Sequence, residues 1–346
     1  MRVFITGSAG FIGFHLARLL LEEGHSVHGY DGITDYYDVR LKQRRHALLR
    51  QYPAFTATEA MLEDATALQT AARAAQPDVI VHLAAQAGVR YSLQNPRAYI
   101  DANLVGTFNV LQVAQMLQPR HLLMASTSSV YGANTDMPFG EQQKTDLPLT
   151  LYAATKKANE AMAHAWAHIH GVPTTMFRFF TVYGPWGRPD MALFKFTQGI
   201  LAGTPIDLYN HGDMRRDFTY VDDLVRAIRL LIDAVPPAPD QRRPEQGWQP
   251  IEGDSLSPVA PWRVVNIGNS EPVRLLDFVE AIEEALGKPA LRNCLPMQTG
   301  DVPATWADCT LLQRLTGYRP QTPVREGVRR FVAWYRECYE ASSADA

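Results

Sequence analysis

The sequence predicts an α/β protein, a doubly wound parallel sheet with a smaller C-terminal α/β domain. Three observations carry that expectation. Apolar strand-like runs alternate with amphipathic helical runs up to about residue 180. The first strand breaks on glycines directly into a helix, in Val3-Phe4-Ile5-Thr6-Gly7-Ser8-Ala9-Gly10-Phe11-Ile12-Gly13. Beyond Phe180 the alternation gives way to helices separated by loops rich in Gly, Asp and Arg. Strands and helices in such alternation, joined by right-handed crossovers, bury a parallel sheet between two helical layers.

At the first strand–helix junction, Gly7 suits a tight turn, Gly10 a close backbone approach and Gly13 the packing of helix on strand. The N–H groups at the helix start then favour a phosphate. Three glycines alone are equally a plain strand-to-helix turn. The second strand, Ser26–Tyr30, decides between these readings because it ends in Asp31, about 20 residues on, where a ribose-binding acid belongs. A carboxylate accepts hydrogen bonds from ribose hydroxyls and repels a 2′-phosphate, and no Arg directly follows Asp31. The expected cofactor is therefore NAD, bound by a Rossmann-type domain spanning residues 1–180.

A polar segment, Asp35–Asp38, leads into a basic helix over Arg40–Arg50, expected to be a surface cover near the cofactor. Phe55–Thr58 reads as the third strand, Ala65–Ala75 as a helix, and Asp78–Leu83 as a fourth strand ending in the small Ala84 and Ala85. Asn95-Pro96 starts a long helix through Asn103 to about Leu117, and His121–Ala125 is the fifth strand. Tyr152–His170 is a helix and Pro173–Phe180 the sixth strand. Residues 181–346 are mainly a substrate domain, with helices near 192–202, 221–235, 275–286 and 323–340. Within it, residues 236–261, crowded with Pro, Gly, Gln and Glu, predict a mobile surface loop, and residues 263–267 a strand returning toward the sheet.

Of the 346 residues, 46% are hydrophobic and 20% charged, the balance of an ordinary globular enzyme. A net charge of -3 gives no general attraction to nucleic acid or to an anionic membrane. No apolar run approaches the roughly 20 residues that span a bilayer. The chain opens on a strand without a signal-peptide pattern, so a cytoplasmic location is expected. Cys294, Cys309 and Cys338 lack ligand spacing, and neither disulfide nor metal is expected.

The chemistry is carried by Ser126-Thr127-Ser128-Ser129, directly after the fifth strand, and Tyr152-x-x-x-Lys156, opening the next long helix. Tyr and Lys four apart share a helix face, so the ammonium stabilises a phenolate whose ordinary pKa is about 10. Bringing that pKa near 7 takes roughly 4 kcal/mol, which Lys156 and a nicotinamide's positive charge jointly supply. Such a pair is often just a solvated helix face. Beside the glycine turn and the hydroxyl cluster it reads instead as a general base with its activator, which makes Thr127, Tyr152 and Lys156 the candidate catalytic residues.

Gly7-x-x-Gly10-x-x-Gly13, His82-Leu83-Ala84-Ala85, Asn103, Thr127 and Tyr152-x-x-x-Lys156 resemble the extended short-chain dehydrogenase/reductase superfamily, over essentially the whole chain. Three longer strings, Gln86–Ser92, Arg178–Ala192 and Arg216–Tyr220, look like the UDP-glucuronate 4-epimerases of that superfamily. The resemblance implies that Tyr152, aided by Thr127, removes the proton of the sugar's 4-hydroxyl while a hydride passes to NAD. The 4-ketone then turns and is reduced on its other face. It further implies that Phe11, Ile12, Leu62, Leu83, Ala84, Ala85 and Asn103, with Tyr152 and Lys156, line the cofactor site.

On the substrate side, the resemblance makes Ser128, Ser129, Thr181 and Arg188 contacts for the sugar, with Thr181 and Arg188 leading for its carboxylate. Either of those two could instead be a loop hydrogen bond or an exposed charge. Arg216 is implied for the diphosphate and Asp301 for the uridine ribose. Tyr209 either covers the uracil or simply packs, and Arg90 is a substrate contact or a surface residue. The related dehydratases carry an Asp-Glu pair where this chain has Ser128-Ser129, so elimination of water lacks its acid. A UDP-glucuronate decarboxylase, another UDP-sugar 4-epimerase and an NAD-sensing binding protein remain the alternatives. One departure stands out: Met61 occupies the position where many relatives hold the adenine amino group with an Asp, which puts NAD affinity in question. A homodimer through the helices after Asn95 and Tyr152 is also implied by the resemblance, with Phe108, Val113, Met162 and Trp166 either on their outer faces or in the core.

Overall fold

The computed structural model describes residues 1–298 and 300–340. Its core is a seven-stranded parallel sheet laid down in the order of the sequence: β1 (Arg2–Thr6), β2 (Ser26–Asp31), β3 (Phe55–Glu59), β4 (Val79–His82), β5 (His121–Thr127) and β6 (Thr174–Phe179), joined late in the chain by β10 (Trp262–Ile267). Across the sheet the order is β10-β6-β5-β4-β1-β2-β3. The direction of winding reverses between β1 and β4, and the crevice outside their carboxyl ends is where an open α/β sheet takes ligands. β4 and β5 are buried along their whole length, as central strands covered on both faces must be.

The covering helices are α1 (Phe11–Glu22), α2 (Val39–Leu49), α3 (Ala65–Ala75), the short α4 (Tyr91–Gln94) and α5 (Pro96–Tyr99), α6 (Gly106–Leu117) and α7 (Leu151–His170). Helix α7 is bounded at both ends by its own sequence. Thr150 accepts from the Ala153 N–H at its start, and Gly171 ends it at φ +69°. The helix expected from Asn95 to Leu117 runs through an expanded π turn at Ile100–Val105, a departure that tends to mark functional sites.

The second half adds β7 (Thr181–Tyr183), α8 (Ala192–Ala202), β8 (Ile206–Leu208), β9 (Arg215–Tyr220) and α9 (Val221–Leu231) before β10. After it come β11 (Pro272–Arg274), α10 (Leu275–Leu286), β12 (Arg292–Cys294), β13 (Ala304–Thr305), α11 (Thr310–Thr316) and α12 (Val324–Trp334). Strand β9 collects β7, β11 and β13 into a small second sheet, and β12 pairs β8. Asp217 on β9 locks this region together, accepting from the N–H groups of Asn269 (2.6 Å), Ser270 (2.9 Å) and Ala307 (3.1 Å). Burial lifts its carboxyl to about 6 against those bonds.

Residues 263–267 return to the main sheet as its edge strand β10, and α9 packs on α1. Two expectations change. The 236–261 segment is pinned rather than loose: the Arg242 guanidinium donates to the carbonyls of Pro237, Ser257 (2.5 Å) and Ala260 (2.6 Å), and Asp254 pairs with the buried Arg263 at 3.0 Å. Helix α2 is no mere surface cover. Its Arg45 is wholly buried and donates to the carbonyls of Ala9 (2.8 Å) and Trp186 (2.6 Å) and to the Tyr37 hydroxyl (2.8 Å). Loop carbonyls removed from water need donors, and a long guanidinium reaches several at once. Among the described residues, no helix is long and apolar enough to cross a membrane.

A Cβ at Gly13 would lie 2.0 Å from the Gly7 carbonyl oxygen, an obstacle made of backbone. Gly13→Ala is therefore expected to lower the unfolding free energy by about 3 kcal/mol in urea titrations, and a change below about 0.5 kcal/mol would contradict this packing.

Candidate active site

The turn after β1 is closed as tightly as backbone allows. Gly7 stands at φ +79°, and a Cβ there would come within 2.7 Å of the Ala84 nitrogen; one at Gly10 would come within 2.9 Å of the Gly7 oxygen. The floor of the crevice is thus bare backbone, which fits a dinucleotide's diphosphate against the start of α1. Asp31 sits at its lip, with its carboxylate fixed by the N–H groups of Ala9 and Ile33, both at 2.9 Å.

From this floor a cleft of about 1500 Å³ extends between the sheet and the second half of the chain. Phe11, Ile12, Leu62, Leu83, Ala84 and Ala85 line it, as does Met61, whose sulfur packs against Gly32. Asn103 does not face it. This residue is fully buried, accepting from the Gln86 N–H (2.8 Å) and donating to the Gln86 carbonyl (3.1 Å) and the Thr155 hydroxyl (3.1 Å), so it ties the 86–90 loop to α7. Lys42, which the sequence reading passed over, lines the cleft from α2, with its ammonium on the Thr34 carbonyl (2.6 Å) and hydroxyl (3.0 Å). No periodicity distinguishes it from the exposed charges around it.

The catalytic candidates come together where β5 ends and α7 begins. Thr127, the last residue of β5, accepts from the Ser129 N–H at 3.2 Å, and its hydroxyl lies 3.3 Å from that of Ser129. Tyr152 lies in the first turn of α7 and Lys156 in the next, with its ammonium buried on the Ala125 carbonyl at 2.9 Å. Burial pushes Lys156 down to about 8, opposed by the Glu160 carboxylate. The same burial raises Tyr152 above its ordinary value, against a hydrogen bond from Thr127 and the charge of Arg188. A second buried cluster underlies this point: Ser126 donates to Glu160 at 2.6 Å, and Arg178 grips both Glu160 oxygens at 2.9 Å.

The substrate candidates line the same cleft. Arg90 pairs with Asp301 at 3.2 Å and lies 4.4 Å above the Tyr209 ring, so three residues far apart in sequence form one corner. Arg216 is held by the carbonyls of Val302 (2.8 Å) and Pro303 (3.2 Å). Thr181 opens β7, and Arg188 lies beyond it in a bidentate pair with Asp190, which also accepts from Tyr36. Asp190 and Tyr36 were not singled out in the sequence, although Asp190 lies within the string that contains Arg188.

With Asp31 at the lip of the crevice, NAD is expected to bind at least about tenfold more tightly than its 2′-phosphorylated counterpart in equilibrium titrations. Equal affinity would contradict the assignment.

Comparison with known proteins agrees with this geometry. The chain is 59% identical over 340 residues to a probable UDP-glucuronate 4-epimerase of Rhizobium meliloti, covering 98% of each. It is 42% identical to UDP-glucuronate 4-epimerase 4 of Arabidopsis thaliana, covering 99% of this chain and 77% of the plant protein. The crystal structure of a UDP-glucuronic acid 4-epimerase from Bacillus cereus, in complex with UDP-glucuronic acid and NAD, superposes with a TM-score of 0.84 at 28% identity, covering 98% of this chain and all of that one. The model of the NAD dependent epimerase/dehydratase family matches residues 3–242, and the chain belongs to that family.

Proposed function

We propose that the chain is a UDP-glucuronate 4-epimerase, an NAD-dependent isomerase that interconverts UDP-glucuronate and UDP-galacturonate. The observation that carries this reading is the placement of Thr127, Tyr152 and the buried Lys156 on the same cleft as the bare glycine floor and Arg188. Gly7, Gly10, Asp31 and the residues lining the floor would hold NAD. When bound, NAD supplies the reversible two-electron acceptor that makes the C4 alcohol a ketone and restores it.

The chain's own residues manage the proton and the carboxylate. As the phenolate, Tyr152 takes the proton of the 4-hydroxyl on its oxygen, with Thr127 beside it at the end of β5. Lys156 holds the phenolate through its charge. After the sugar ring has turned, Tyr152 returns the proton to the C4 oxygen, so no net redox change results. The 4-ketone of a uronic acid is a β-keto acid, which loses carbon dioxide when its carboxylate bond aligns with the carbonyl π system. Arg188, Thr181, Ser128 and Ser129 would hold that group out of alignment. Dehydration has no acid at Ser128-Ser129 to drive it.

We also propose a homodimer. Phe108 on α6 is 40% exposed with its ring edge-on to Trp166 of α7 at 5.7 Å, and Ile169 is 68% exposed. Val113 belongs to the core instead. In our reading a second copy covers this stripe, and the protein works in the cytoplasm, where three cysteines without ligand spacing stay reduced thiols.

Tyr152→Phe should abolish conversion of UDP-glucuronate by about 10³-fold with NAD binding retained, as read by chromatography of the products; conversion within tenfold of the parent would refute Tyr152 as base. Burial favours the neutral amine of Lys156, so its proton is lost near pH 8 rather than above 10. The turnover rate is accordingly expected to fall as pH rises through about 8, and a rate still rising at pH 9.5 would contradict this. Phe108→Glu should convert the dimer to monomer in sedimentation; a monomeric parent protein would dispose of the dimer.

A further inference from the structure

The glycine floor follows β1 and Asp31 closes β2, so a dinucleotide laid across the two points its base at the next strand of the sheet, β3. The turn after β3, residues 60–64, comes up beside Asp31. The Ala60 N–H donates to the Asp31 carbonyl at 3.2 Å, and the Met61 sulfur packs against Gly32. Met61, Leu62 and Glu63 all line the cleft. The backbone of this turn is fixed from behind: the Met61 carbonyl accepts from the Tyr30 hydroxyl at 3.0 Å, and the Leu62 carbonyl from the side-chain amide of the buried Asn109 at 2.8 Å.

The carboxylates that flank Glu63 are spent within the fold. Asp31 is held by two backbone N–H groups, Glu59 pairs with Arg50 at 2.9 Å, and Asp64 caps α3 by accepting from the Ala67 N–H at 2.9 Å. Glu63 differs: its Oε2 is shut off from water and meets no donor among the described residues. A carboxylate oxygen in that condition is costly, and folded proteins seldom leave one so. The protein supplies no donor, so the cleft that Glu63 lines is the side from which one can come.

We propose that Glu63 accepts a hydrogen bond from the exocyclic amino group of the adenine of NAD, with Leu62 and Met61 as the apolar contacts of the base. Met61 itself offers only a thioether, a weak acceptor. An ionised carboxylate only accepts, so it discriminates by the sign of what it meets. An amino group gains a charge-assisted bond, and a base without one leaves the carboxylate dehydrated and unpaired. That penalty on the wrong base exceeds the net gain from the right one. Glu63 is thus a specificity-determining residue for the base of the cofactor. The inference rests on NAD as the cofactor and is independent of the sugar.

The test is calorimetric titration of the full chain, stripped of carried-over nucleotide, with NAD and with nicotinamide purine dinucleotide, which has hydrogen in place of the adenine amino group. The parent should bind NAD about tenfold more tightly than the analogue. Glu63→Ala should bind the two within about twofold of each other, because NAD is weakened about tenfold and the analogue is not. Glu63→Gln keeps the shape and one acceptor without the charge, so its preference should fall to about threefold. Asp64→Asn, which still caps α3, should keep the parent's preference. A merely structural role for Glu63 would weaken both dinucleotides alike in Glu63→Ala, and that result would overturn the assignment. So would a parent that binds the two equally, or loss of the preference in Asp64→Asn. Should Glu63→Ala not fold, the parent's preference and its reduction in Glu63→Gln decide alone. A parent that takes up neither dinucleotide would sink the NAD reading and this assignment with it, whereas equal uptake of both leaves the first standing and ends the second.

Discussion

One ammonium group held almost out of water, that of Lys156, is the constraint on which the site depends. Its bond to the Ala125 carbonyl fixes α7 against the end of β5, and that contact brings Tyr152, one turn earlier, beside Thr127. A cation so placed needs an anion in reach, and Glu160 supplies it one turn later. Glu160 is itself neutralised by Arg178 from β6 and bonded by Ser126 from β5. The registers of two strands and a helix are therefore tied to the charge state of a single amine. Any slip in one of them would leave a buried charge unpaired, at a cost of several kcal/mol.

On the opposite wall of the cleft the three arginines arrive already engaged. Arg188 is held by Asp190 and Arg90 by Asp301, while Arg216 rests on backbone carbonyls. Loops carrying unpaired guanidiniums in a confined space would rearrange. Paired ones keep a defined shape around the cleft.

The fold was legible wherever periodicity is long enough to read. The seven strands of the sheet and most of their crossover helices follow from apolar runs such as Val79–His82 and from their alternation with helical runs. The glycine floor was legible because sterics leave one residue type possible at Gly7 and Gly13. The strands around β9 escaped because segments of two or three residues, such as Ala304–Thr305, carry no alternation to detect. The inward turn of α2 escaped because Lys42 and Arg45 look like solvated charges until the carbonyls they satisfy are in place. Asn103 was recognised as special, but its partners Gln86 and Thr155 come from elements far apart in sequence, and only the fold shows that its groups are spent on them. Asp190 was hidden by its own neighbour, since an Arg two residues away invites a reading of the cation alone.

The central claim is that the hydrogen removed from carbon 4 is kept within the site and given back to the same carbon. Converting UDP-glucuronate deuterated at C4 in ordinary water, and reading the product by NMR, tests it most directly. The account predicts UDP-galacturonate with the deuterium still at C4 and no pentose product. Loss of the label to solvent, or a UDP-pentose with release of carbon dioxide, would contradict it.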